Sequence, residues 1–229
     1  MRSFSIVLAA MLVSGAAGSA SADPVSGSRL GPDVDRQYHS KKSSEQQARV
    51  FVSCMVVSHT ASARTLLNTT DKAAMEKASS ALGDVERCDK LDENETASVG
   101  AFQYPIDIIR GMIAEIFLAP NLDQAAKLPN MPVERGYSRT WFALSGRNAA
   151  VDSMAVCLAE NAPGGVAALL RTEAYTPSEM AAVQALGPNM GKCLQVGVKL
   201  KANRQALRAA IAEALYHRLN APVAAAAGK

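Results

Sequence analysis

The sequence predicts an all-α protein: a tandem duplication of a three- to four-helix unit, each unit stapled by one disulfide. Three observations predict it. The phrase Arg-x-x-Ile-Ala-Glu occurs at Arg110 to Glu115 and again at Arg208 to Glu213, 98 residues on. The same landmarks precede it in the same order both times: Cys54 and Cys157, Leu66-Leu67 and Leu169-Leu170, Ala81-Leu82-Gly83 and Ala185-Leu186-Gly187, Cys88 and Cys193. Apolar residues recur at helical spacing, and no alternating run is long enough to build a sheet. Self-similarity at a long fixed period is the signature of a repeated structural unit. The offset between copies is 103 at the first Cys, 104 at Ala-Leu-Gly, 105 at the second Cys and 98 at the closing phrase. The first copy therefore carries seven extra residues, within the polar stretch from Asp89 to Gln103, which reads as a longer loop.

Residues 1–22 read as a targeting segment. Arg2 supplies a positive start, Phe4 to Val13 is a short apolar run, and Ala20-Ser21-Ala22 precedes Asp23. Charge, short apolar core and an A-x-A site, in that order, make a secretory signal peptide. The run is too short to span a bilayer. Cleavage after Ala22 is expected, giving a soluble secreted or periplasmic chain that is not an integral membrane protein. Residues 23–43, polar with Pro and Gly, are expected to form a mobile linker.

Unit one is placed at 44–119. Ser44 and Gln47 have capping-box spacing, and the apolar residues that follow fill several faces, as in a buried helix. The unit's last helix starts near Pro105, with Ile106, Ile109, Ile113 and Phe117 expected to face the core. A connector at 120–143 carries Pro120, Pro129 and Pro132, and Trp141 and Phe142 are expected to pin it to the core. Unit two is placed at 144–220. Its first helix covers Asn148 to Glu160. The next has Thr176 as N-cap, Pro177 in the first turn and Glu179 three residues after the cap; Gly187-Pro188 is expected to stop it near Leu186. Leu194 to Leu200 suggests a short extended piece. Asn203 caps the last helix, whose residues Leu207, Ile211, Leu215 and Leu219 form an i, i+4 row. Residues 221–229 read as a flexible tail.

Four cysteines allow three pairings. Their repeated positions select Cys54–Cys88 and Cys157–Cys193, each closing a loop within one unit. The spacing lacks C-x-x-C pairs and the chain has only three His, so no metal site is expected. Without Arg2 the net charge is +2, which gives no support to nucleic-acid binding. Lys192, Lys199, Lys201, Arg204 and Arg208 form a modest basic cluster with few aromatics and read as a solvated helix end. The segment Gly187 to Cys193 departs from a phosphate loop in both glycine spacing and the residue after Lys192. No nucleophile elbow, zincin or dinucleotide motif is present, and no cofactor is implied.

The candidate site residues are those of the repeated phrase: Arg110, Glu115, Arg208 and Glu213. Arg and Glu five residues apart stand about 140° apart around a helix, so they cannot form an i, i+4 ion pair, and each needs a partner elsewhere. One reading is a pair of carboxylates facing a shared cleft, dividing acid and base roles, with the arginines holding an anion. The other is a scaffold, in which each Glu accepts hydrogen bonds from a neighbouring segment and each Arg braces a helix end; duplication copies scaffold as readily as site, and this reading is favoured. The functional expectation is a non-catalytic exported module that binds a protein or small ligand. The alternatives are a chaperone- or stress-type periplasmic protein and a hydrolase using Glu115 and Glu213.

Overall fold

The structure is a computed structural model; it describes residues 44–83, 88, 105–198, 200 and 203–221. The expected targeting segment at 1–22, linker at 23–43, longer loop at 89–103 and tail from 222 lie outside the described residues, as do the side chains of the proposed capping pair Ser44 and Gln47. The described residues are all-helical, with no strand among them. Helices α1 (Ser44–Ser58), α2 (Thr60–Asn68), α3 (Lys72–Gly83) and α4 (Ile106–Leu118) come first. A 3₁₀ turn and the short α5 (Leu122–Ala126) follow, then a 3₁₀ segment at Thr140–Leu144. Helices α6 (Ala149–Asn161), α7 (Pro163–Leu170), α8 (Pro177–Cys193) and α9 (Arg204–Asn220) complete the chain. No single described helix is long and apolar enough to cross a membrane.

The turns between helices have local causes. α1 and α2 meet at 104°, and α6 and α7 at 106°. The hinge residues, His59 (φ −134°, ψ 49°) and Ala162 (φ −135°, ψ 50°), adopt nearly the same backbone conformation 103 residues apart. The residue after each hinge tolerates the broken ladder in a different way. Thr60 donates its hydroxyl to Val56 O at 2.8 Å, whereas Pro163 has no N–H to satisfy. Asn148, Thr176 and Asn203 cap α6, α8 and α9, each side chain accepting from a first-turn backbone N–H.

Both disulfides are present, Cys54–Cys88 and Cys157–Cys193, with Cα separations of 5.7 and 5.6 Å. Each ties the first long helix of its half to the end of the segment containing the third.

α9 is the centre of the molecule. Every residue from Ala206 to Tyr216 is buried, because α4, α6 and α7 all pack on it. Its tightest neighbour is α4: a Cβ added at Gly111 would stand 2.2 Å from Ala209 Cβ and 2.3 Å from Ala209 Cα. Gly111 and Ala209 each follow the Arg of the repeated phrase, so the two helices cross at matched positions.

Three local expectations are corrected. α8 does not stop at Leu186; it runs through Pro188 to Cys193. Proline breaks a helix by removing a donor and crowding a carbonyl four residues back, but here Pro188 and Gln184 are both exposed, so water can reach that carbonyl. The far end is held by Cys193, which is disulfide-bonded and buried. Within Leu194 to Leu200, Leu194 has extended backbone but Gln195 to Val198 form a turn instead: Val198 N bonds Gln195 O at 3.1 Å around Gly197 at φ +82°, a conformation that favours glycine. On α4, Ile113 is fully buried but Ile106, Ile109 and Phe117 are only half-buried; Ile108, Met112 and Ala114 take the deep positions instead. Contact with α9 at Gly111 turns that face inward.

Candidate functional site

The four residues of the repeated phrase meet across the α4–α9 crossing, and they do so reciprocally. Arg110 on α4 donates from Nε to Glu213 Oε1 on α9 at 2.8 Å, and again from Nη2. Arg208 on α9 donates from Nε to both oxygens of Glu115 on α4, at 3.0 and 3.1 Å, and from Nη2 at 2.9 Å. The remaining donors of each guanidinium go to the last carbonyls of a short helix. Arg110 reaches Leu66 O and Leu67 O at the end of α2. Arg208 reaches Leu169 O and Leu170 O at the end of α7. Helix C-termini leave carbonyls unpaired, and a planar guanidinium with five donors can serve them and a carboxylate at once.

Each carboxylate recruits a second arginine from its own half. Glu213 Oε2 accepts from Arg147 Nη2. Arg147 also donates from Nε to Asp152 Oδ1 at 2.7 Å and from Nη1 to Asp107 O at 2.9 Å, and the Ser145 hydroxyl donates to the other Asp152 oxygen. The side chains of Arg110, Arg147, Asp152 and Glu213 have no exposed surface. Burial alone would raise the Glu213 carboxyl; the Arg147 and Arg110 guanidiniums outweigh it and hold it well below the usual carboxylate range. Burial also acts on Asp152 and prevails, so that its carboxyl is raised despite Arg147 and Ser145.

The second network is larger and more open. Glu115 accepts from Arg49 at 2.9 and 3.2 Å as well as from Arg208. Arg49 also binds Glu45, four residues earlier, and Arg208 Nη1 reaches Glu179 Oε1 at 3.2 Å, with Arg204 on the other Glu179 oxygen. Arg49 and Arg204 each keep 27% of their side-chain surface. Burial would raise Glu115, but Arg49 and Arg208 lower it below the usual value. Glu45 goes the other way: burial raises it, Arg49 only partly offsets this, and Glu179 and Glu115 add to it. Glu45 Oε2 is buried without a hydrogen bond.

Sequence reasoning missed Arg49, Arg147, Glu45 and Asp152, and read Glu179 only as a helix-start residue. Glu179 does serve the helix start, accepting from Tyr175 N at 2.9 Å, but it is also a buried ion-pair partner. α9 is enclosed on all sides, so the face that carries Glu213 is interior as well as the apolar row. A signal for two of the missed residues was available. Arg49 and Asp152 stand 103 residues apart, the same offset as Cys54 and Cys157, so charge sign changes between the two positions, and Arg147 lies between Asp152 and Glu213.

A cleft of about 330 Å³ opens beside the sealed network. Its lining includes Asn68, Arg139, Trp141, Glu160, His217 and Arg218. The Trp141 ring stacks on His217 at 4.6 Å with 14° between planes, and Phe142 meets Trp141 edge-on at 4.7 Å. His217 Nε2 is buried with no hydrogen bond and lies 3.7 Å from Glu213 Oε1, beyond hydrogen-bond reach. Arg139 pairs with Glu160 at 3.1 Å. Arg218 donates to Ala159 O, to Glu160 O and to Pro129 O. Elsewhere among the described residues lie a hollow of about 400 Å³ between α7 and α8 around Gly164 and Gly165, and a shallow one on α1 beside Val50 and Val57. No group of three or more metal-ligating side chains occurs among the described residues.

No protein-family model, no curated protein and no solved structure matches the chain.

Proposed function

We propose that the protein is an exported, non-catalytic binding module, built as a tandem pair of disulfide-stapled helical units locked together by exchanged Arg–Glu pairs. The observation that carries this reading is the saturation of the repeated Glu residues. Glu115 and Glu213 each accept from two arginines, and one arginine of each pair comes from the opposite half. A general acid or base needs a proton poised for exchange near the working pH and within reach of a substrate. Ionised carboxylates held by two guanidiniums suit fixing helices rather than moving protons.

Several matched features favour the duplication. The two hinges bend alike, the two Arg residues cap equivalent Leu-Leu carbonyls, and Gly111 meets Ala209 at the crossing. Arg36 and Tyr38 also stand 103 residues before Arg139 and Trp141. For export, the A-x-A site is joined by two disulfides, which are compatible with an oxidising extracellular compartment.

The test uses Glu115→Gln and Glu213→Gln with thermal melting and affinity capture from the native exported fraction. The module reading expects lower melting temperatures and unchanged capture below the melting point. Normal melting with lost capture, or lost turnover of a hydrolysable substrate, would sink it. N-terminal sequencing of the exported protein should begin at Asp23; a mature product keeping Phe4 to Val13 would reject the signal peptide.

A further inference from the structure

We infer that the cleft beside Trp141 binds a small organic monocarboxylate, its anion held by Arg218 and its apolar part against the Trp141 wall. This deepens the binding-module reading and rests on it.

The inference starts from charge. Among the described residues Arg218 makes no ion pair; its three partners are backbone carbonyls. A guanidinium has five N–H donors, so two remain after those bonds. The other charged groups near the cleft are matched: Arg139 with Glu160, and Glu213 and Asp152 with Arg110 and Arg147. One unit of positive charge is left over, on a side chain fixed in place by three acceptors and partly withdrawn from water. A half-buried cation without an ion-pair partner is held at some cost, and burial does lower the Arg218 pKa, with Glu160 opposing it only in part. A monoanion matches that single charge; a dianion would bring excess negative charge near Glu160 and Glu213.

Size and lining specify the rest. About 330 Å³ is at the small end of ligand pockets, which run from about 300 to 1,000 Å³. Trp141, Val156 and Ala214 provide apolar surface. The Trp141 ring is braced by His217 on one side and Phe142 at its edge, so it forms a preorganised platform that costs little ordering entropy on binding.

The chain contains a single tryptophan, so its emission reports on this cleft alone. The full exported chain should be titrated with butyrate, acetate, inorganic phosphate and chloride at constant ionic strength. Butyrate should give a saturable change and acetate a weaker one, with phosphate and chloride giving none. Arg218→Gln should weaken butyrate at least tenfold. Because Arg218 also holds backbone carbonyls, the wild-type protein supplies a second readout: its Arg218 Nε–H resonance should shift along the same butyrate isotherm. No saturable change, equal saturation by phosphate, or a stationary Arg218 resonance overturns the site. Those results leave partner capture by the module untouched, whereas hydrolysis of a butyrate ester with butyrate still binding would overturn the non-catalytic reading and leave the site.

Discussion

Glu115 and Glu213 occupy the same place in a repeated phrase, yet they anchor different kinds of network. Around Glu213, two arginines and two carboxylates are sealed from solvent and neutral as a set. Around Glu115, three arginines and three carboxylates are also neutral as a set, but Arg49 and Arg204 reach water and one oxygen of Glu45 is unsatisfied. The difference begins at one matched position. The first half of the chain places Arg49 there, and Arg49 binds Glu115 directly. The second half places Asp152 there, which would repel Glu213, so Arg147 stands between them. The same crossing geometry is thus reached with the charge order reversed in one half. What the two occurrences of the phrase share is that each Glu meets two guanidiniums, rather than the residues that supply them.

The sharpest way to break the comparison is to separate the helices that carry both pairs. Gly111→Ala puts a Cβ within 2.3 Å of both Ala209 Cβ and its Cα, so α4 and α9 must part and both networks stretch. A loss of about 5 kcal/mol or more is expected, at the extreme of single substitutions. Adding Ala209→Gly should not rescue it, because the Cα conflict remains. Ala209→Gly alone should cost about 1 kcal/mol, the helix-propensity difference. Denaturant melts measure all three, and a Gly111→Ala protein of normal stability would disprove the close crossing.

Next comes removal of each Glu. Taking one partner from a buried ion pair leaves an uncompensated charge, at a cost of about 3–5 kcal/mol. Glu213→Ala should cost that much, since Arg110 and Arg147 have no route to water. Glu115→Ala should cost less, about 1–3 kcal/mol, the range for unsatisfied buried groups, because Arg49 can turn to solvent and Arg208 keeps Glu179. Equal losses would mean that the two networks are equally sealed. Acid should act in the same sense. Both carboxyls are held below their ordinary values, so their stabilisation is complete above the unfolded-state value near 4.5 and is lost as pH falls through the folded ones.

The disulfides offer a third contrast. They close chain segments of 34 and 36 residues, so the chain-entropy model gives each about 3–4 kcal/mol. Access differs. Cys157 and Cys193 are both buried, while Cys54 is half-buried opposite buried Cys88. Limited reductant followed by alkylation and peptide mapping should label Cys54 and Cys88 first. Earlier labelling of Cys157 would reverse that order.

How much of this was legible in the sequence depended on whether the cause was local. Helix caps at Asn203 and Thr176, the cysteine pairing and the all-helical class were readable, because capping and order in the chain carry them. The need for Arg110 and Glu115 to find separate partners followed from helical geometry alone. Which partners they found did not, since Arg49 and Arg147 come from segments whose docking is set by the crossing at Gly111. The fate of Pro188 was equally non-local: a strong stop signal gave way because the affected carbonyl is on the exposed side and a disulfide holds the next turn. The Trp141 cleft was invisible for a similar reason. Trp141 and His217 lie far apart in sequence, and nothing in their spacing says that their rings stack.

The smallest effect tests the open network from inside. Glu45 and Glu115 share Arg49, yet their carboxyls move in opposite directions. Burial, with Glu179 and Glu115 adding to it, raises Glu45 above its ordinary value. A raised carboxyl contributes stability that is fully present below the unfolded-state value and is lost as pH rises through the folded one. The Glu45 charge is therefore disfavoured in the folded protein, and Glu45→Gln removes it while leaving an oxygen to accept from Arg49 Nε and Nη2, now at 3.0 and 2.9 Å. The variant should melt slightly above the parent at pH 7, and the gap should close as pH falls through the raised Glu45 value toward the unfolded-state value near 4.5. Asp152 is not an equivalent probe in the sealed network, because both of its oxygens are bonded, to Arg147 and to Ser145. Melting curves of parent and Glu45→Gln across that pH range decide the matter. A variant that melts lower at pH 7 would mean that the Glu45 charge is needed to hold Arg49, making the open network as tightly matched as the sealed one.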